Sequence, residues 1–202
     1  MSSPTRPAFF TLVAALCLIM AIGVFAVRFL HAGTYSMPGG GAVYGALGCL
    51  VIAGVLLFAW RTRPLAWIAV LATPIALFPT LYSIMAESEE VISLYATDAS
   101  GAPAELRLWI ADEGGSPWLG MPRSKATEHS LDGNTFDMLR AGSVSCVKPV
   151  LFDEDRETVR RIHGLKVKKY RVARIAGAIG MYPLEAPDTT VVLRLDPCAG
   201  DA

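Results

Sequence analysis

Three long apolar runs fill the first part of the chain, and short alternating runs fill the rest. Positions 8–27, 41–60 and 64–86 carry no Asp, Glu, Lys, Arg or His. Each approaches the roughly 20 apolar residues that a helix needs to cross a bilayer. The pattern predicts three transmembrane helices. Pro74 and Pro79 fall inside the third, where proline is expected to kink the helix. Channels and proton-coupled carriers usually hold ionisable groups at depth, so these uncharged runs read as an anchor. Gly41, Gly45 and Gly48 leave a further role open, in which close helix packing serves partner subunits.

Beyond residue 90 the apolar period drops to two. Positions 91–96 predict a strand, and Leu106, Leu108 and Ile110 alternate with Arg107 and Trp109 in the next one. Asp112-Glu113-Gly114-Gly115-Ser116-Pro117 supplies turn chemistry, and a short apolar run over 118–121 completes a hairpin. That hairpin runs into Arg123-Ser124-Lys125, which offers two cations and a hydroxyl to an anion. Positions 135–140 read as a turn or two of helix, and 143–150 as another strand. Asp153 is a fair N-cap for a helix that Gly164 ends or weakens, and 189–195 is the clearest strand of all. The chain therefore divides into a membrane anchor over 1–90 and a soluble domain over 91–202. The fold class is α+β, with a small antiparallel barrel carrying helical insertions after the anchor.

Composition adds limits. The sequence is 53% hydrophobic, with the excess in its first 86 residues, and its formal net charge is +0, which gives no case for nucleic-acid binding. Arg6 and the Arg61-Thr62-Arg63 turn set one side of the bilayer as cytoplasmic, against Arg28 and His31 in the other loop and Glu87, Glu89 and Glu90 after the third run. The positive-inside rule then puts the soluble domain on the outer face. Cys17 and Cys49 lie in apolar runs, and Cys146 and Cys198 in the soluble part, at no zinc or redox spacing. The last two are either a disulfide or two unrelated thiols. His129 and His163 lack partners at metal spacing and read as surface residues. The basic run Lys166, Lys168, Lys169, Arg171 and Arg174 reads as a solvated helix face, or as a contact to anionic lipid head groups if the domain faces the cytoplasm.

The series AELRLWIADEGGSPWLG, RSK, VSCV, DRETVRRI, KY and VVLRLDP resembles the flavin-binding split β-barrel families over about 91–197. These include pyridoxamine-phosphate-oxidase-like and deazaflavin-dependent nitroreductase-like proteins. The resemblance implies a split-barrel homodimer with FMN or a deazaflavin in the cleft between subunits. It places Arg107, Ser124 and Lys125 at the cofactor phosphate and Lys169 and Tyr170 at the pair following the family's helix. Arg123 joins the phosphate group by its charge alone, and Trp109 and Trp118 either flank the ring or pack in the core or the dimer interface. The chain departs from those families after the phosphate loop, where Ser130-Leu131-Asp132-Gly133-Asn134 stands in place of the usual Asn-Pro approach to the next strand. The function implied is a membrane-anchored flavin or deazaflavin oxidoreductase acting on a small molecule. The alternative is a non-catalytic ligand-binding or dimerisation barrel tethered to the bilayer.

Overall fold

The computed structural model describes residues 7–30, 34–36, 42–98 and 100–198. Arg6, His31 and Gly41 lie outside them. The chain separates into two compact units, one ending at Met85 and the other beginning at Ala86 and including the short strand near residue 35.

The first unit is made of α1 (Ala8–Leu30), α2 (Ala42–Phe58) and α3 (Arg63–Glu87), the last two residues of α3 belonging to the second unit. Among the described residues three helices form, and of these only α1 and α3 are long and apolar enough to cross a membrane. This corrects the expectation of three spans. The Ala59–Thr62 turn stops α2 early, and its 17 residues span about 25 Å against a hydrocarbon core of about 30 Å. α3 is continuous through Pro74 and Pro79. Within it, Thr73 Oγ1 donates to Ala69 O at 3.0 Å and Thr80 Oγ1 to Leu77 O at 2.6 Å.

Many small residues lie inside this unit beside Phe10, Val24, Ile52 and Leu56, and many large ones lie outside. Ala14, Cys17, Ala21, Ala46, Cys49, Ala53 and Ala76 are buried, whereas Leu12, Ile19, Val51, Phe58, Leu71 and Ile75 are exposed. Small residues allow helix backbones to approach closely. A Cβ at Gly45 would stand 2.7 Å from Pro79 Cγ and 2.9 Å from the Ala76 carbonyl oxygen. Gly45→Ala is therefore expected to destabilise the bundle by about 1–3 kcal/mol. Thermal loss of helicity in detergent measures this, with Gly54→Ala as the silent control because open space surrounds Gly54.

The second unit is a closed barrel. Its strands are β2 (Val91–Thr97), β3 (Pro103–Glu113), β4 (Ser116–Pro122), β5 (Phe136–Arg140), β6 (Ser143–Phe152) and β7 (Thr190–Pro197). Hydrogen-bonded neighbours run β3-β2-β5-β6-β7-β4, all antiparallel, and a β3–β4 pairing closes the ring. β1 (Thr34–Ser36) adds to β3 in parallel, a pairing the sequence pattern did not predict. The β3–β4 hairpin turns on Gly114 and Gly115, both at positive φ, which matches the twist of the flanking strands. Alternation decides the interior. Leu94, Leu106, Ile110, Leu119, Met138, Leu193 and Leu195 point inward and are almost fully buried.

Residues 136–140 form a strand, not the expected helix, because Met138 enters the core while Asp137 pairs across from Cys146. Arg123-Ser124-Lys125 opens α4 (Arg123–Glu128), a short helix in place of the expected loop. The long helix is α5 (Arg156–Lys169), followed by α6 (Arg171–Ala178). Asp155, rather than Asp153, caps α5 by accepting from Thr158 N at 3.1 Å. Gly164 lies inside α5 and does not end it. Val159 and Ile162 of α5 pack on Ala111, Trp118 and Val192, outward residues of β3, β4 and β7.

Candidate functional site

The outer face of β3 carries most of the chemistry. Odd positions of this strand point away from the core, so Glu105, Arg107, Trp109 and Ala111 share that face. Arg107 donates from Nε and Nη2 to Glu87 Oε2, at 3.1 and 2.7 Å, and from Nη1 to Ser93 Oγ at 2.8 Å. The Ser93 hydroxyl in turn donates a hydrogen bond to Glu105 Oε1 at 2.6 Å. Trp109 Nε1 donates to Ala86 O at 3.3 Å, and its ring stacks on Tyr170 with centroids 4.6 Å apart.

Tyr170 is 1% exposed. Its hydroxyl sits 2.8 Å from Ile110 N, Ile110 O and Glu90 O, accepting from the first and facing both carbonyls. Burial pushes its pKa well up. Lys169 pairs with Glu90 at 2.5 Å and Asp112 at 3.4 Å, and Arg140 bridges the same two carboxylates. Arg140 holds Asp112 below the usual carboxylate range. Burial works against ionisation of Glu90, yet Lys169 and Arg140 keep it lowered too.

A single segment collects these contacts. Ala86 takes Trp109, Glu87 takes Arg107, and Glu90 takes Lys169 and Tyr170. Glu89 completes the set, its Oε1 accepting from Arg171 N at 2.7 Å and Val172 N at 3.3 Å at the start of α6. The residues that the resemblance places around a cofactor thus clamp the chain where it leaves α3. From the sequence the glutamates read as the end of a hydrophobic run and a sign of its orientation, not as partners of β3. Their spacing next to an outward arginine was the available signal.

Arg123, Ser124 and Lys125 belong to a different place. Arg123 forms an ion pair with Asp153 in which its side chain stays 52% exposed. Ser124 is exposed, and Lys125 is half-buried, its pKa lowered by burial with partial relief from Glu128. Within one chain, Arg107 and Arg123 are held by different carboxylates, Glu87 and Asp153, and the Trp109 ring is covered by Tyr170. As arranged, these residues do not fit a flavin or deazaflavin phosphate. A bound phosphate would have to displace Glu87 from an arginine that is itself mostly buried.

Two more expectations change. His129 and His163 are buried, 6% and 3% exposed, rather than on the surface. His129 Nδ1 donates to Thr97 O at 3.0 Å, and His163 Nε2 donates to Pro183 O at 2.9 Å. Lys166 also lies inside, on the helix stripe of Val159, Ile162 and His163. Its Nζ donates to Gly120 O at 2.9 Å, and a Cβ at Gly120 would stand 3.2 Å from it. Helical spacing from Val159 was the sign that this lysine faces the barrel.

Burial drops the Lys166 pKa to about 8. The folded lysine loses its proton near pH 8, whereas the unfolded one keeps it to about 10.5. The unfolded chain binds more protons across that window, so stability rises with pH there. Lys166→Met is expected to raise stability at neutral pH by about 1–2 kcal/mol, after the lost hydrogen bond to Gly120 is counted, and the gain should shrink as pH climbs through the window. Denaturant titrations at several pH values test this. A loss of stability that is equal at every pH would show that the ammonium is not held out of water.

A depression of about 430 Å³ opens on the barrel surface, lined by Tyr95, Thr97, His129, Ser130, Asn134 and Phe136 among others. Its groups are hydroxyls, an amide, an imidazole and two aromatic rings. No cluster of His, Cys, Asp and Glu among the described residues is suited to a metal ion. Cys146 and Cys198 are bonded, with Cα atoms 5.5 Å apart across β6 and β7.

No family model matches this chain, and neither does any curated protein. Two solved structures are similar in outline. One is HutZ, the heme storage protein from Vibrio cholerae, at 12% identity and TM-score 0.41, covering 57% of this chain and 87% of that one. The other is the conserved hypothetical protein Rv2991 from Mycobacterium tuberculosis, at 15% identity and TM-score 0.37, covering 56% and 76%. Likeness at this level says nothing about a ligand or an activity.

Proposed function

We propose that this protein is a membrane-tethered barrel that binds a ligand or partner without catalysing a reaction. The observation that carries this reading is the engagement of Arg107, Trp109, Lys169 and Tyr170 with the segment 86–90. In the competing reading, a flavin- or deazaflavin-dependent oxidoreductase, the same side chains would hold and orient a cofactor that supplies the hydride chemistry. Freeing Arg107 for that task breaks an ion pair whose side chains are 14% and 7% exposed. Such a step costs several kcal/mol.

The tether is supported by the outward Leu, Ile, Val and Phe side chains of α1, α2 and α3. A soluble monomer rarely exposes so continuous an apolar surface, whereas a lipid-embedded bundle does so by necessity. Placement of the barrel on the oxidising side is supported by the Cys146–Cys198 bond. The charges flanking α3 agree, with Arg61 before it, Arg63 at its start, and Glu87, Glu89 and Glu90 at and after its end. The surface this reading offers to a ligand is the depression around Asn134 and Phe136. Its lining suits a small, polar, uncharged ligand with an apolar face.

The test is an absorption spectrum of the full chain purified in mild detergent, followed by titration with FMN. The expected result is no flavin or deazaflavin band and no saturable FMN binding. A stoichiometric band would overturn the non-catalytic reading. Alkaline carbonate extraction tests the tether separately, with the chain expected to stay in the membrane pellet.

A further inference from the structure

We infer that α6 and the loop after it, residues 171–184, form a second membrane contact that lies on the anionic headgroups of the bilayer in which α3 is held. This rests on the tether reading above. Ile175, Ile179, Met181 and Leu184 are 55%, 58%, 58% and 52% exposed, a run of large apolar side chains on the barrel unit's surface. Arg171 and Arg174 are exposed beside them, as is Lys168. No Asp or Glu occurs between Glu157 and Glu185, so the segment is basic and apolar together. That combination suits a helix lying in the interface of a leaflet that carries anionic lipid on the barrel's own side.

Position supplies the second argument. The backbone N–H groups of Arg171 and Val172 bond to Glu89, two residues beyond the end of α3 at Glu87. The start of α6 is thereby fixed beside the point where the chain leaves its membrane helix. A lipid surface is within reach by covalent connection alone.

The segment is also held rigidly despite its exposed side chains. Val172, Ala173 and Ala176 are buried, and Met181 N donates to Ala176 O at 2.8 Å to close the helix. The Tyr182 ring lies 5.9 Å from Trp109 and 5.8 Å from His163, which in turn donates to Pro183 O. A floppy loop would turn its apolar side chains inward. This one presents them.

The test uses the full chain with Cys17→Ala and Cys49→Ala, reconstituted into nanodiscs of phosphatidylcholine alone or mixed with phosphatidylglycerol. A nitroxide is attached at Ile179→Cys, and a reference label at Val144→Cys, which is 64% exposed on another part of the barrel. Collisional relaxation then compares oxygen, which partitions into lipid, with a water-soluble nickel chelate. The expected result is that the label at 179 prefers oxygen in anionic nanodiscs while the label at 144 prefers nickel. Arg171→Glu with Arg174→Glu should return 179 to the nickel-accessible state.

A label at 179 that stays nickel-accessible in both lipid mixtures, in protein still embedded in the disc, overturns the contact and leaves the tether intact. Protein that fails to embed overturns the tether itself. Protection of 179 that persists in detergent together with a doubled particle mass assigns the surface to a second copy of the chain and overturns the lipid contact.

Discussion

Glu87→Ala is expected to lower the unfolding free energy of the barrel by about 3–5 kcal/mol, the usual loss when one partner of a buried ion pair is removed. Glu87 and Arg107 meet at 2.7 Å with side chains 7% and 14% exposed, so neither is well solvated. Removing the carboxylate leaves the guanidinium with Ser93 but without its closest charge. Replacing the whole set, as Glu87→Leu with Arg107→Met and Glu105→Gln, is expected to restore at least half of the loss, because the buried Glu105 carboxylate that Ser93 joins to Arg107 is neutralised together with the ion pair. Denaturant unfolding followed by Trp109 fluorescence suits the measurement, since that indole bonds to Ala86 beside the altered residue. Arg123→Ala, in an exposed pair with Asp153, is the contrast and should change stability by less than about 1 kcal/mol. The two readings of function diverge here. If Arg107 served only a cofactor, Glu87→Ala would leave the apoprotein's stability unchanged.

Breaking the Cys146–Cys198 bond is expected to cost about 4 kcal/mol, from the chain-entropy model for a loop of this size. The two residues are 52 apart in sequence, and the bond fixes the end of β7 to β6. Cys146→Ser with Cys198→Ser, or the native chain with reductant, should unfold at clearly lower denaturant than the oxidised chain. Cys17 and Cys49 are free and buried, so alkylation without denaturant should leave them largely unmodified. Two additional thiols in protein isolated under non-reducing conditions would remove the bond, and with it the main support for an oxidising compartment.

Strand β3 shows why part of the candidate site could not be read in advance. Its alternation placed Leu106, Leu108 and Ile110 inside and Arg107 and Trp109 outside, as the structure has them. What lies on the outward side is a separate question. Periodicity assigns a face, but the partner on that face comes from another part of the chain. Glu87 lies 20 residues before Arg107, and Tyr170 lies 60 residues after Ile110. An outward arginine looks the same whether a phosphate or a glutamate awaits it.

The sequence alone determined the properties that depend on local pattern. These are the uncharged apolar runs, the change to a period of two after residue 90, the Gly114-Gly115 turn and the helix rich in Arg and Lys. They are legible because hydrophobic burial and backbone geometry act on neighbours three or four residues apart, or two apart in a strand. Tertiary structure alone decided the rest. It set 136–140 as a strand by pairing it with β2 and β6, and it turned Lys166 and His163 inward by laying α5 on the barrel. It joined Cys146 to Cys198 by closing β6 against β7, and it gave Arg107, Trp109, Lys169 and Tyr170 to the segment 86–90. Each of those outcomes depends on contacts between residues far apart in the chain, and composition and spacing do not carry that information.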